Sequence, residues 1–126
     1  VKTDGRWRRH DWIIKADPDT VLLAERARVR LSWHSQDLKP VFIRNCIRFG
    51  VRDDPHEAHP NAGLFGSLES VSRPAMELYF AGDARCKSEF NWAAWGEDQY
   101  MGMCLKMLNA EPVTDLDSVA DERCNG

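Results

Sequence analysis

The run Trp12-Ile13-Ile14-Lys15-Ala16 is apolar at almost every position and stops at Asp17-Pro18-Asp19-Thr20. A run this short, closed by a proline that cannot donate to a hydrogen-bond ladder, reads as a buried strand over 11–16. It commits the chain to a sheet. A second strand is expected over Pro40-Val41-Phe42-Ile43-Arg44-Asn45-Cys46, with proline at its first position, and a third, of mixed alternation, from Phe65 to Val71. Helical spacing fills the intervals. Leu23, Ala27 and Leu31 recur at i, i+4 and i+8 in a helix expected from about Ala24 to His34, which leaves Arg26, Arg28 and Arg30 on a solvated face. Ser72 has the chemistry of an N-cap, with Pro74 in the first turn of a helix that carries Ala75, Met76, Leu78 and Tyr79 and should stop near Gly82. Met101, Cys104, Leu105 and Leu108 sit at i, i+3, i+4 and i+7 of a last helix starting near Gly96 and stopped by Pro112. From Val113 onward the chain is acidic and expected to be irregular.

With 126 residues, 43% of them hydrophobic and 29% charged, the chain can bury a core and is too apolar for a disordered segment. A net charge of −3 argues against a nucleic-acid module, which carries a basic footprint. No apolar run approaches the ~18 residues that would span a bilayer, so no membrane contact is expected of this segment. The start at Val1 and the charged first residues, including Arg6, Arg8 and Arg9 around Trp7, show no signal peptide and suggest a piece of a longer protein beginning with a solvated stretch. Without a linker, repeat or low-complexity stretch, residues 1–126 read as one unit. Cys46, Cys86, Cys104 and Cys124 form no C-x-x-C pair, which speaks against structural zinc. They leave open four thiols or two disulfides in any of three pairings.

Asp17 and Asp19 put two carboxylates at the end of a buried strand, where ligands of α/β sheets collect, and such oxygens suit Mg²⁺ or Mn²⁺ shared with substrate phosphates. Asp115-Leu116-Asp117 has the same spacing without an evident apolar strand before it and reads as loop. Thr20 follows Asp19 directly, which breaks the haloacid-dehalogenase phosphatase signature, and Val21-Leu22-Leu23-Ala24 cannot supply calcium ligands in an EF-hand. Glu97 and Asp98 open the last helix. Their spacing to Met101, Cys104 and Leu105 sets them on or beside its buried stripe, where a carboxylate can accept a proton from a bound hydroxyl or simply complement the helix dipole. Gly63 and Gly66 would let backbone approach a ligand or serve a tight turn. His56 and His59 read as a polar loop with metal-binding capacity, and Trp92 and Trp95 as core or as a sugar platform. No serine sits in a G-x-S-x-G elbow.

Taken in order, three segments resemble the fringe-like and β-1,3-galactosyltransferase-like glycosyltransferases. Trp12-Ile13-Ile14-Lys15-Ala16-Asp17-Pro18-Asp19-Thr20 is similar to their strand and D-x-D motif, and Gly66-Ser67-Leu68-Glu69-Ser70-Val71-Ser72-Arg73-Pro74-Ala75 to their glycine-containing strand with Ser-Arg and a helix. Gly96-Glu97-Asp98-Gln99-Tyr100-Met101-Gly102-Met103-Cys104-Leu105 resembles their Glu-Asp motif. The resemblance implies an α/β chain forming the C-terminal portion of a GT-A fold, with a mixed sheet flanked by helices. It implies Asp17 and Asp19 as metal ligands at a metal–diphosphate site, Gly66 beside the cofactor, and Asp98 as general base of an inverting transfer. The cofactor implied is Mn²⁺ or Mg²⁺, the donor a nucleotide sugar, UDP-linked, and the acceptor a glycan or glycoprotein hydroxyl. The parent would be a type II membrane protein working in the Golgi lumen, which favours disulfides. Pro18 stands where many relatives carry a third Asp, and no His follows His59. A non-catalytic carbohydrate-binding or interaction module retaining part of the same fold is the alternative.

Overall fold

The computed structural model describes residues 4–35, 38–46, 64, 68–90, 93 and 95–119. Its elements are β1 (Trp12–Ala16), α1 (Ala24–Ser32), β2 (Val41–Arg44), β3 (Leu68–Ser72), α2 (Arg73–Glu89), α3 (Glu97–Met107) and β4 (Glu111–Thr114), after a 3-10 turn at Arg6–Arg9. The four strands form one sheet in the order β1-β3-β2-β4. β3 is antiparallel to β1 and β2, and β4 is parallel to β2, so the chain is mixed α/β. Among the described residues no helix is long and apolar enough to cross a membrane.

Register sorts the side chains. β1 pairs with β3 from Trp12 opposite Ser72 to Ala16 opposite Leu68, and Phe42 of β2 stands opposite Val71. Alternation then puts Ile13, Lys15, Glu69, Val71 and Phe42 on one face and Ile14, Ser70, Leu68 and Ile43 on the other. The first face carries the main core, in which Phe42 and Val71 meet Ala75 and Met76 of α2 and Met101, Met103 and Leu105 of α3. The second face is covered by α1, and incompletely. Leu31 is buried, while Leu23, expected on the same stripe, is 52% exposed. Only the C-terminal end of α1 is docked. Arg30 is half-buried there, unlike the exposed Arg26 and Arg28, because it pairs with Asp115. Trp7 also departs from the solvated stretch around it. It is buried in the core with its ring 5.3 Å from that of Phe80.

Two helix ends differ from their sequence signals. α2 continues past Gly82 to Glu89, because that glycine serves helix packing. A Cβ at Gly82 would lie 2.5 Å from a methyl of Leu108, so the missing side chain lets α3 approach. α3 ends well before Pro112. Asn109 adopts a left-handed conformation (φ 69°), and the N–H groups of Asn109 and Ala110 donate to the carbonyls of Lys106 and Leu105. This is a Schellman ending with asparagine in the usual glycine position. Pro112 lies in β4, an edge strand that tolerates it. The segment expected to be irregular from Val113 begins inside that strand.

Cys86 and Cys104 are joined by a disulfide that ties α2 to α3, with Cα atoms 5.5 Å apart. Cys46 is also disulfide-bonded, to a partner outside the described residues. The Cys86–Cys104 bridge closes a loop with a sequence separation of 18. Its removal as C86A/C104A should cost about 3 kcal/mol of unfolding free energy, read as a lower denaturant midpoint. Ser72 performs a second tie. Its buried hydroxyl accepts from Val41 N (2.9 Å) and Ala75 N (3.3 Å) and donates to the Lys39 carbonyl (2.7 Å), so one side chain caps α2 and holds the start of β2. Ser72→Ala should cost roughly 2–3 kcal/mol, because it strands buried backbone groups as well as removing a cap. A change in urea midpoint of under 0.5 kcal/mol equivalent would contradict that account.

Candidate functional site

β1, β2 and β4 run one way and β3 runs against them. The carboxyl ends of three strands therefore share one edge of the sheet, the usual place for ligands of such folds. Asp17 and Asp19 leave β1 at that edge, in a turn closed by the Thr20 N–H donating to the Asp17 carbonyl (2.9 Å). Because α1 docks only at its far end, a cavity of about 900 Å³ opens there, floored by Ile43, Leu68 and Ser70. Asp17 and Asp19 line it from the β1 side, Asp115 and Asp117 from the β4 side.

Asp115-Leu116-Asp117, expected as a loop without a strand before it, thus follows β4 directly and faces the same cavity as Asp17 and Asp19. Arg30 answers much of its charge. Its Nε and Nη2 donate to Asp115 at 2.9 and 2.6 Å and hold that carboxyl below the usual carboxylate range. Asp117 lies 3.9 Å from the same guanidinium and is otherwise exposed. Counting Glu25, five acids line the cavity against Arg26 and Arg30. The lining is thus net acidic.

The donor set decides what kind of cation site is conceivable. Among the described residues, no group of three or more His, Cys, Asp or Glu side chains is arranged to hold a metal ion. Asp17 and Asp19 are two hard-oxygen donors in the lining of one cavity and form no all-protein cage among the described residues. Gly66, His56, His59 and Trp92 lie outside the described residues. Trp95 is half-buried beside the core, with its ring 5.2 Å from that of Phe90.

On the opposite face of the sheet, at the same edge, a second group of charges gathers around Lys15. Its ammonium is hydrogen-bonded to Glu97 at the head of α3 and lies 3.3 Å from Glu69 of β3. The Glu97 bond, aided by the nearby carboxylates, raises the Lys15 pKa. Glu97 is exposed instead of lying on the buried stripe, while Asp98 is half-buried with its Oδ1 accepting from Gln99 N (2.8 Å). Asp98 is not among the residues lining the cavity of Asp17 and Asp19. The two acid sets thus approach the end of β1 from its two faces, and Lys15, two residues before Asp17, links them.

Glu69 is the residue that sequence reasoning left without a role. It is 1% exposed, and burial first, then the charges of Glu97 and Asp98, push its carboxyl up to about 7. The available signal was a charged residue inside a strand otherwise headed for the core. A carboxyl whose pKa rises on folding stabilises the protein while it is protonated. That contribution is complete below the ordinary glutamate value of 4.5 and is lost as pH rises through about 7. At 1.36 kcal/mol per pH unit it amounts to about 3 kcal/mol. Unfolding free energy should therefore fall between about pH 4.5 and about pH 7, and Glu69→Gln should flatten that slope. A wild-type profile already flat over this interval would remove the buried-proton account.

Comparison of the chain with protein-family models, with curated proteins and with solved structures finds no match. What it does has to be argued from its own residues.

Proposed function

We propose that this chain is part of a metal-dependent, inverting glycosyltransferase. It would bind a nucleotide sugar, UDP-linked, at the carboxyl edge of its sheet and serve transfer of a hexose or N-acetylhexosamine to a glycan or glycoprotein hydroxyl. The reading implies that the mixed sheet and its helices belong to a GT-A domain. One observation carries it: Asp17 and Asp19, at the carboxyl end of β1, line a cavity of about 900 Å³ whose lining is net acidic. Such a site takes an anionic donor only together with a cation, which is the chemistry of metal-assisted nucleotide-sugar binding. The Cys86–Cys104 disulfide accords with the oxidising lumen that the Golgi reading requires.

In this mechanism Asp17 and Asp19 would hold Mn²⁺ or Mg²⁺, with Asp19 the principal ligand, and the chemistry so supplied would be charge neutralisation at the nucleoside diphosphate. The apolar floor of Ile43 and Leu68 keeps water from the buried part of the donor. Asp98 accepts the proton of the acceptor hydroxyl as that oxygen attacks the anomeric carbon from the side opposite the leaving group. The acceptor enters around the end of β1, between the two acid sets. The position of Asp98 outside the cavity lining favours a second reading, a carbohydrate-binding module that keeps the donor cavity and lacks transfer.

Calorimetry with UDP and UDP-sugars, with and without Mn²⁺, separates these. The transferase reading expects Mn²⁺-dependent binding that Asp19→Ala weakens at least tenfold. It also expects transfer that Asp98→Asn lowers at least a hundredfold, with donor affinity kept within twofold. Binding or turnover that persists in EDTA removes the metal role. Collapse of donor binding in Asp98→Asn assigns Asp98 to binding or folding. Sugar binding without any transfer leaves the binding-module reading.

A further inference from the structure

We propose that Glu69 is a positioning residue for the acid pair at the head of α3, acting through Lys15. The proposal deepens the transferase reading and, for the catalytic meaning of Asp98, rests on it.

The geometry is that of a three-part clamp. Glu69 lies under the site with both carboxyl oxygens buried and without a hydrogen bond among the described residues. Its nearest cation is the Lys15 ammonium, at 3.3 Å. The same ammonium is bonded to Glu97, whose side chain is 57% exposed. One cation therefore serves a carboxyl that solvent does not reach and a carboxylate that solvent does. Asp98 of α3 adds negative charge, and Tyr79 of α2 is close enough to feel both Glu69 and Glu97. Arg44 of β2 belongs to the same sheet face by alternation from Phe42.

A buried carboxyl with unbonded oxygens is costly, and an apolar residue at this position would pack the core without that cost. What the carboxyl adds is control of Lys15. With Glu69 ionised, the ammonium is drawn toward the sheet and shared between two partners. With Glu69 protonated, it belongs to Glu97 alone. The proton on Glu69 thereby sets how firmly the first turn of α3 is pinned to the end of β1, and Asp98 rides on that turn. Charge on Asp98 and Glu97 opposes charge on Glu69.

The test follows the Glu69 carboxyl by ¹³C NMR titration in the 126-residue chain and in three variants. Glu97→Gln and Asp98→Asn should lower its midpoint, and Lys15→Met should raise it, each by about half a pH unit or more. A midpoint that none of the three moves by more than ~0.2 units overturns the clamp. The activity arm uses the parent enzyme. Glu69→Gln, and Lys15→Met as a variant that spares the buried carboxyl, should each lower kcat about tenfold with donor KM within twofold and displace the acid limb of the pH profile. Lys15→Arg should restore most of kcat. Unchanged kcat and pH profile in a wild type that transfers sugar overturn the positioning role. Coupled titrations in a protein that transfers nothing retain the clamp and remove the transferase reading instead.

Discussion

The fold depends on β3, the strand that pairs on one side with β1 along its whole length and on the other with β2. All five of its residues are buried, yet three of them, Glu69, Ser70 and Ser72, are polar. An interior strand of that composition is stable only if its polar side chains find partners. Ser72 does so by bonding Val41, Lys39 and Ala75, which fixes β2 and α2 in one stroke. Among the described residues, Glu69 is answered by the ammonium of Lys15. The same need that organises one end of the strand leaves the other end electrostatically unsettled, and that end is where the candidate site lies.

Charge at the carboxyl edge follows from topology. Reversal of β3 against β1, β2 and β4 brings the residues after β1 and after β4 to one side. Asp17 and Asp19 then share a cavity with Asp115 and Asp117, although about a hundred positions of sequence separate the pairs. The Arg30–Asp115 pair both docks the end of α1 and spends one of those acids on structure. Across the sheet, Lys15 does comparable work for α3. The edge is thus held from both faces by ion pairs.

Much of the architecture was legible in local pattern. The strand before Asp17, the cap at Ser72 and the apolar stripe of α3 all come from short-range chemistry, so residue spacing reports them. The errors share another cause. Gly82 looked like a helix stop, and Pro112 like another, because glycine and proline are read for their backbone preferences alone. In the fold Gly82 makes room for Leu108, and Asn109 ends α3 before the proline is reached. Arg30 and Leu23 exchanged their expected environments because α1 docks at one end only.

By itself the sequence determined three strands and three helices, though not β4, together with the carboxylate pair at a strand end and the acid pair at a helix head, since each depends on residues within a turn or two of one another. Tertiary structure decided which acids share a cavity, that Asp98 approaches from the other face, and that Glu69 lies buried beneath Lys15. Those relations are set by strand order and register, which join residues far apart in the chain and leave no trace in spacing.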